Sequence, residues 1–192
     1  MQKKNGQIIY SPSDLIVFLA DPFSSWMDRR YMENREGLVP DEDDDSSNLV
    51  SKMGLRHEAD YLARLLAEGK DVCVIEGRDD AAYLATLAAM RDGREIIYQA
   101  FLREGALTGA GRGSFAGLSD FLIRTEGASK LGDFHYEVWD TKLARKPKPY
   151  FLIQLCCYAE MMLEIQGRLP AKVGVALGGN LLKSFNTVDY YY

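Results

Sequence analysis

One stretch of the sequence, residues 117–158, constrains the fold more than any other, because its hydrophobic period changes part-way along. Residues 135–144 (HYEVWDTKLA) are rich in aromatic and β-branched side chains and alternate with a period of two, which predicts a β-strand. In residues 148–166 (KPYFLIQLCCYAEMMLEIQ) the apolar side chains recur at helical spacing instead. A strand followed closely by an amphipathic helix therefore forms the centre of the predicted fold.

A second strand is predicted just before the first, at residues 115–124 (FAGLSDFLIR). The segment between the two strands contains the glycine and serine that suit a hairpin, so we expect antiparallel neighbours. Asp120 shares a face of its strand with Leu118 and Leu122, whereas Asp140 and Lys142 share one face of the next strand. Two carboxylates and a lysine are therefore expected to converge near one edge of the sheet.

Carboxylates in such an arrangement suit a hard divalent cation, since Mg²⁺ prefers one or two carboxylates together with water and phosphate oxygens. A protonated Lys142 cannot ligate the ion, but it could stabilise charge on a phosphate oxygen or orient an attacking water. The alternative is a simple salt bridge between Asp140 and Lys142. On the following helix, Gln154 and Tyr158 lie four residues apart on one face, or else Gln154 is exposed and Tyr158 belongs to the core.

The order of these motifs, G-x-x-D, then D-x-K on the next strand, then Q-x-x-x-Y on a helix, resembles the RecB-like branch of the PD-(D/E)XK nuclease superfamily, which includes CRISPR-associated exonucleases. The resemblance extends upstream to GLRHEADYLARLL and to the opening YSPSDLIVFLADP, and it covers the chain from about residue 10 onward. It implies an α/β fold with a restriction-endonuclease-like αβββαβ core, a central mixed sheet flanked by helices and extra N-terminal helices.

The resemblance also implies a role for each matching position. Metal ligands would be Asp120, Asp140, the backbone carbonyl of Thr141, and His57, which matches a histidine common on the first core helix of the family. The ion would be Mg²⁺ or Mn²⁺. Lys142 would be the catalytic lysine, and the pair Gln154 and Tyr158 would steady it or contact the nucleic-acid backbone. Without the resemblance, a lone histidine at position 57 is more simply a hydrogen-bonded helix residue.

Many members of this branch hold an iron–sulfur cluster on four cysteines, one of which directly precedes a proline. Here Asp21 occupies the position before Pro22, and the chain has three cysteines. Three cysteines cannot supply four ligands, so we expect no iron–sulfur cluster. Because Cys156 and Cys157 are adjacent on a helix, a disulfide framework is not expected either.

A length of 192 residues, with 47% hydrophobic and 27% charged residues, fits a single globular domain. We divide it into N-terminal helices with an acidic loop at 1–47 and a nuclease core at 48–192. The abrupt ending DYYY suggests a piece of a longer protein, in which a helicase or another domain would be a partner. No apolar run reaches the length of a membrane span and no leader pattern is present, so we expect a cytoplasmic protein without a membrane partner.

The net charge of −5 argues against a protein that coats DNA through its overall charge, but a local basic path suffices for binding phosphates. Arg145, Lys146 and Lys148 follow the D-x-K strand and are candidates for such a path, with a solvated loop as the alternative. Arg112 lies in the glycine-rich segment 105–113, which lacks the lysine of a Walker loop, and is a further candidate for the DNA backbone. The acidic segment 36–47 does not match an EF-hand.

Periodicity and capping signals predict the remaining elements. The first core helix is expected at 48–68, with an apolar stripe facing the core that consists of Leu55, Ala59, Leu62 and Leu66. His135 is interpreted as structural. The other expected elements are a helix from Ser11 interrupted at Pro22, a second stretch at 24–31, a helix capped by Asp79 or Asp80, and strands at 72–76, 95–104, 172–177 and 182–188.

Three functions remain open at this stage. The first is a Mg²⁺- or Mn²⁺-dependent DNA nuclease in repair, recombination or processing, acting on single- or double-stranded DNA. The second is a non-catalytic nucleic-acid-binding or assembly module attached to a helicase or nuclease. A metal-dependent phosphoesterase acting on a small nucleotide is the third. Binding of nucleic acid without metal-dependent cleavage would favour the second.

Overall fold

The computed structural model describes residues 1–4, 6–40, 45–104 and 114–191, with side chains described for all of these except 45–47 and 114. It is an α/β structure in which a mixed eight-stranded sheet is flanked by five helices. In chain order the elements are β1 (Gln2–Lys4), β2 (Gln7–Tyr10), α1 (Pro12–Ala20), α2 (Pro22–Glu33), α3 (Asp45–Ala67), β3 (Val72–Val74), α4 (Asp80–Arg91), β4 (Ile96–Arg103), β5 (Ser114–Ser129), β6 (Gly132–Lys142), α5 (Pro149–Gln166), β7 (Lys172–Leu177) and β8 (Leu181–Asn186).

The sheet is built around the long strand β5. It pairs antiparallel with both β4 and β6, and its first residues pair in parallel with β2. Beyond β6 the sheet continues with β7, in parallel, and with β8, antiparallel to β7. The expected antiparallel pairing of the two central strands is confirmed, and residues 130–131 form the turn between them.

The two faces of the sheet bury different helices. On one face, Tyr136 and Val138 of β6 belong to the main core with Leu155 and Met162 of α5, as the alternating pattern and the helical stripe predicted. On the other face, Trp139 packs in a smaller cluster with residues of α3. The alternation along β6 therefore places Asp140 on the same face as Tyr136 and Val138, which is the face that α5 covers.

The N-terminal helices begin at residues that favour helix starts. Ser11 caps α1 through a capping box with Asp14, and Pro12 occupies the first turn. Asp21 caps α2 by accepting a hydrogen bond from the backbone N–H of Phe23 (3.0 Å). The break between the helices at Pro22 is thus confirmed, and the position before this proline serves as a helix cap.

The face of α3 that meets the sheet differs from the predicted one. Leu55 and Leu66 are 68% and 53% exposed, whereas Glu58, Tyr61 and Leu65 are buried. The Tyr61 ring packs edge-on against Phe121 of β5, with centroids 5.0 Å apart. Because α3 carries apolar side chains on more than one side, helical spacing alone did not identify the face that packs. The helix also begins at Asp45, so residues 45–47 belong to it rather than to the predicted loop.

The other predicted elements are present with small shifts at their ends, and β1 and β2 were not anticipated. The glycine-rich segment 105–113, with Arg112, lies outside the described residues. None of the helices in the described ranges combines the length and the hydrophobicity that crossing a membrane would require.

Candidate functional site

The two central strands separate at Asp120 and Asp140. The β5–β6 ladder runs to the pair Phe121–Trp139, and beyond it the backbone N–H of Thr141 donates a hydrogen bond to Oδ2 of Asp120 (2.8 Å). The Thr141 hydroxyl donates to the same oxygen (2.7 Å). Where the strands part, the Asp120 carboxylate therefore accepts the hydrogen bond that a backbone carbonyl would accept in a regular ladder. This bond holds Asp120 beside Asp140.

Asp140 and Lys142 form an ion pair along β6. The Asp140 side chain is 6% exposed and that of Lys142 is 24% exposed. The contact joins the Lys142 Nζ to Oδ2 of Asp140, an oxygen that is buried from solvent. The Lys142 Nζ also lies 5.7 Å from the ring centre of Phe151 at the start of α5. The salt bridge offered as the alternative to a metal site is thus present.

Burial and mutual repulsion make this cluster electrostatically unfavourable when it is fully charged. Burial, followed by the charge of Asp120, raises the pKa of Asp140 well above its usual value, and Lys142 offsets these effects only in part. The pKa of Glu58 is raised by burial and by Asp120, while hydrogen bonds and Lys142 act in the opposite direction. The charge of Asp120 therefore opposes the charges of both Asp140 and Glu58 at this end of the sheet, and Lys142 acts against both effects.

Glu58 is the member of this cluster that the sequence analysis missed. It is 9% exposed on α3 and accepts a hydrogen bond from the Gln99 side-chain amide of β4, and it also hydrogen-bonds the Tyr98 side chain. The spacing of Glu58, Tyr61 and Leu65 along α3 matches one helical face, so a stripe centred on Tyr61 would have identified it.

His57, the neighbouring residue on α3, makes a different contact. Its Nε2 lies 3.0 Å from the backbone carbonyl oxygen of Ala176 on β7, and the side chain is half-buried. The contact is therefore with the strand beyond β6 rather than with the carboxylates. A metal-binding role for His57, like one for the Thr141 carbonyl, stays a prediction.

Gln154 and Tyr158 line the same region from α5. The Tyr158 hydroxyl donates a hydrogen bond to the backbone oxygen of Leu118 (2.6 Å), and its side chain also hydrogen-bonds Gln154. Burial and the charges of Asp140 and Asp120 raise the pKa of Tyr158, so its phenol remains protonated at neutral pH. The two residues of the Q-x-x-x-Y motif are therefore in contact, close to the carboxylates.

Gly117, the glycine of the G-x-x-D motif, leaves space for this tyrosine. A Cβ at position 117 would lie 2.8 Å from the Tyr158 hydroxyl oxygen and 3.0 Å from Cδ of Pro12. We expect Gly117→Ala to displace the Tyr158 ring and to lower the free energy of unfolding by about 1–3 kcal/mol, as overpacking of a core does. Urea unfolding of both proteins measures this loss, and equal midpoints would contradict the tight approach.

The basic residues after β6 are exposed. Arg145, Lys146 and Lys148 lie in the connection between β6 and α5, and the Lys148 Nζ is 5.6 Å from the ring centre of Tyr150. Their exposure fits a path for phosphates as well as a solvated loop, so their contact with nucleic acid stays a prediction.

Comparison with models of protein families, with curated proteins and with solved structures found no match for this chain.

The donor chemistry of the site fits a divalent cation. In the described part of the chain, no group of three or more His, Cys, Asp or Glu side chains is arranged so that it could hold a metal ion. Even so, the charge of Asp120 opposes the charges of both Asp140 and Glu58 in a buried place. A hard cation would relieve this repulsion, because carboxylate oxygens are its preferred ligands.

Proposed function

We propose that the protein is a Mg²⁺- or Mn²⁺-dependent nuclease that hydrolyses phosphodiester bonds in DNA. The observation that carries the proposal is the meeting of Asp120 and Asp140 where β5 and β6 part, with Lys142 paired to Asp140. Nothing in the packing of the sheet requires three ionisable groups at this point, since burying charge costs free energy. A catalytic role for the cluster explains that cost.

The order of elements supports the same proposal at the level of the fold. The sequence α3–β4–β5–β6–α5–β7 contains a helix, three antiparallel strands, a helix and a strand parallel to β6. This is the αβββαβ order of a restriction-endonuclease-like core, and α1 and α2 would be its extra N-terminal helices. The strand β3 and the helix α4 are inserted after its first helix.

Each residue of the cluster has a distinct part in the proposed mechanism. Asp120 and Asp140 would hold the metal ion, which supplies Lewis-acid polarisation of the phosphate and a more acidic water. Lys142, which is partly exposed, would offset negative charge on the phosphate in the transition state. Tyr158, with Gln154, fixes the backbone of Leu118 next to the cluster and thereby supports the position of β5.

The proposal is tested by a cleavage assay with a matched pair of lysine variants. Labelled linear and circular DNA, single- and double-stranded, is incubated with Mg²⁺, Mn²⁺ or chelator. We expect metal-dependent cleavage by the wild type and a loss of about 10²–10³-fold in Lys142→Met, because an oriented positive charge at the phosphate is removed. Lys183→Met, which changes an exposed lysine of β8, should cleave like the wild type.

Each other outcome of the assay has a definite meaning. Binding of DNA without metal-dependent cleavage would replace the nuclease proposal with that of a binding or assembly module. Equal losses in both lysine variants would show that Lys142 has no special role. Cleavage of RNA in place of DNA under the same conditions would keep the mechanism and change the substrate.

A further inference from the structure

The backbone of β4 is strained at Gln99, directly beside the carboxylate cluster. Gln99 has φ = 56°, in the left-handed region, and only one other non-glycine residue of the described chain, Asn180, has a positive φ (60°). Asn180 occupies the turn between β7 and β8, where such angles are ordinary, whereas Gln99 lies inside a strand. A left-handed non-glycine residue in a strand is strained and persists only where its surroundings enforce it.

The strain interrupts the sheet at the level of Asp120. Tyr98 pairs with Phe121 and Ala100 with Ser119, so Gln99 stands opposite Asp120, and this position is missing from the ladder. On the other side of β5, the ladder to β6 also stops short of Asp120. The central carboxylate therefore lies where β5 lacks regular pairing on both of its sides.

The altered backbone also changes where the Gln99 side chain points. Neighbouring residues of a regular strand face opposite sides of the sheet, yet Tyr98 and Gln99 both hydrogen-bond Glu58 of α3. Burial and the hydrogen bond to Glu58 raise the pKa of Tyr98 to about 12, so its hydroxyl remains a donor at neutral pH. Two consecutive side chains of β4 thus form hydrogen bonds to the single carboxylate of Glu58.

We propose that Gln99 is a positioning residue: its left-handed backbone turns its amide, together with the Tyr98 hydroxyl, onto Glu58 and holds that carboxylate where its charge acts on Asp120 and Lys142 and strengthens the binding of a divalent cation by the two aspartates. The inference rests on the proposed function, because it places the charge of Glu58 near the ion that Asp120 and Asp140 would hold. It explains why glutamine is kept in a conformation that glycine or asparagine adopts more readily. Hydrogen-bonded groups that surround the direct ligands tune the affinity of a metal site.

The test compares Mn²⁺ binding by variants with matched backbones. Gln99→Gly permits the same φ without the amide, and Gln99→Asn permits it with an amide too short to reach Glu58. Asn180→Gly is the control, since it changes the other left-handed residue far along the chain in a turn. The dissociation constant for Mn²⁺ is measured by calorimetry, and the metal-induced rise in melting temperature is recorded beside it.

We expect the wild type and Asn180→Gly to bind Mn²⁺ alike, and both Gln99 variants to bind about 10- to 100-fold more weakly with a reduced rise in melting temperature. Unchanged binding in both Gln99 variants would overturn the inference and leave the proposed function standing. A wild type that binds no Mn²⁺ would overturn both. Equal weakening in Asn180→Gly would show that the effect is a general response of the fold and would also overturn the inference.

Discussion

Asp140→Asn is expected to abolish cleavage and, at neutral pH without metal, to make the protein more stable than the wild type. Asparagine keeps the size of the side chain but removes a charge that burial and Asp120 both oppose. Lys142, which loses its partner, still interacts with Glu58. In the proposed mechanism Asp140 would hold the metal ion. Its loss would then remove several kcal/mol of transition-state stabilisation, so the rate of the proposed cleavage should fall on the order of 10³-fold or more.

The pH dependence of this difference in stability has a definite sign. A carboxyl whose pKa is raised in the folded state contributes stability while it is protonated, and that contribution is lost as the pH rises through the raised pKa. The asparagine side chain is neutral at every pH. The stability advantage of the variant should therefore be greatest near neutrality and disappear as the pH falls below the ordinary aspartate pKa of 3.8.

Thermal unfolding from pH 3 to 8, with and without Mn²⁺, measures both effects. Asp133→Asn is the matched control, since Asp133 is an exposed aspartate at the other end of β6. The wild type and this control should gain stability on adding Mn²⁺, whereas Asp140→Asn should gain much less. A destabilised asparagine variant would mean that the pair with Lys142 outweighs the repulsion, and normal cleavage would remove Asp140 from the mechanism.

Gly174→Ala is expected to cause the largest loss of stability among single methyl additions on β7. Gly174 stands opposite Trp139 in the β6–β7 ladder, and an added Cβ would overlap the indole ring within van der Waals distance. The ring belongs to the cluster beneath α3 with Tyr61 and Phe121, so it has little room to move. Overpacking of this kind costs about 1–3 kcal/mol, and more where the neighbour is rigid.

The two tryptophans of the chain allow this loss to be followed locally. Trp26 is 53% exposed on α2, and replacing it by phenylalanine leaves Trp139 as the fluorescent probe. In that background, Gly174→Ala should lower the urea midpoint and change the emission of the folded state. Gly54→Ala, at a helical glycine with nothing within 4 Å of the added atom, should instead raise stability by about 0.5–1 kcal/mol. Equal responses at both glycines would contradict the packing beneath Trp139.

Much of the fold could be predicted because each central element has a clear hydrophobic period within its own segment of sequence. The alternation in β5 and β6 and the helical stripe of α5 arise from side chains that face a single core, so period and burial agree. The pairing of Asp140 with Lys142 followed from the same alternation, since residues two apart on a strand share a face. These signals are contained in short stretches of sequence.

What escaped prediction depends on contacts between distant segments. In α3, apolar residues occur on both the buried and the exposed face, so only the aromatic contact of Tyr61 with Phe121 reveals which face packs. Glu58 can be buried on that face because the side chains of Tyr98 and Gln99 on β4 hydrogen-bond its carboxylate. These partners lie about 40 positions away in the sequence. The left-handed conformation of Gln99 could not be predicted from the residue type, since glutamine seldom adopts it.

The bond between the Thr141 amide and the Asp120 carboxylate gives this molecule an internal spectroscopic reporter. Hydrogen bonds to a charged acceptor are shorter and stronger than those to a carbonyl, so this amide proton should resonate downfield of its neighbours in β6. An ion that draws electron density from the carboxylate would weaken the bond and move the resonance upfield. One backbone signal in a ¹⁵N-labelled sample would then follow the occupancy of the site without any substrate present.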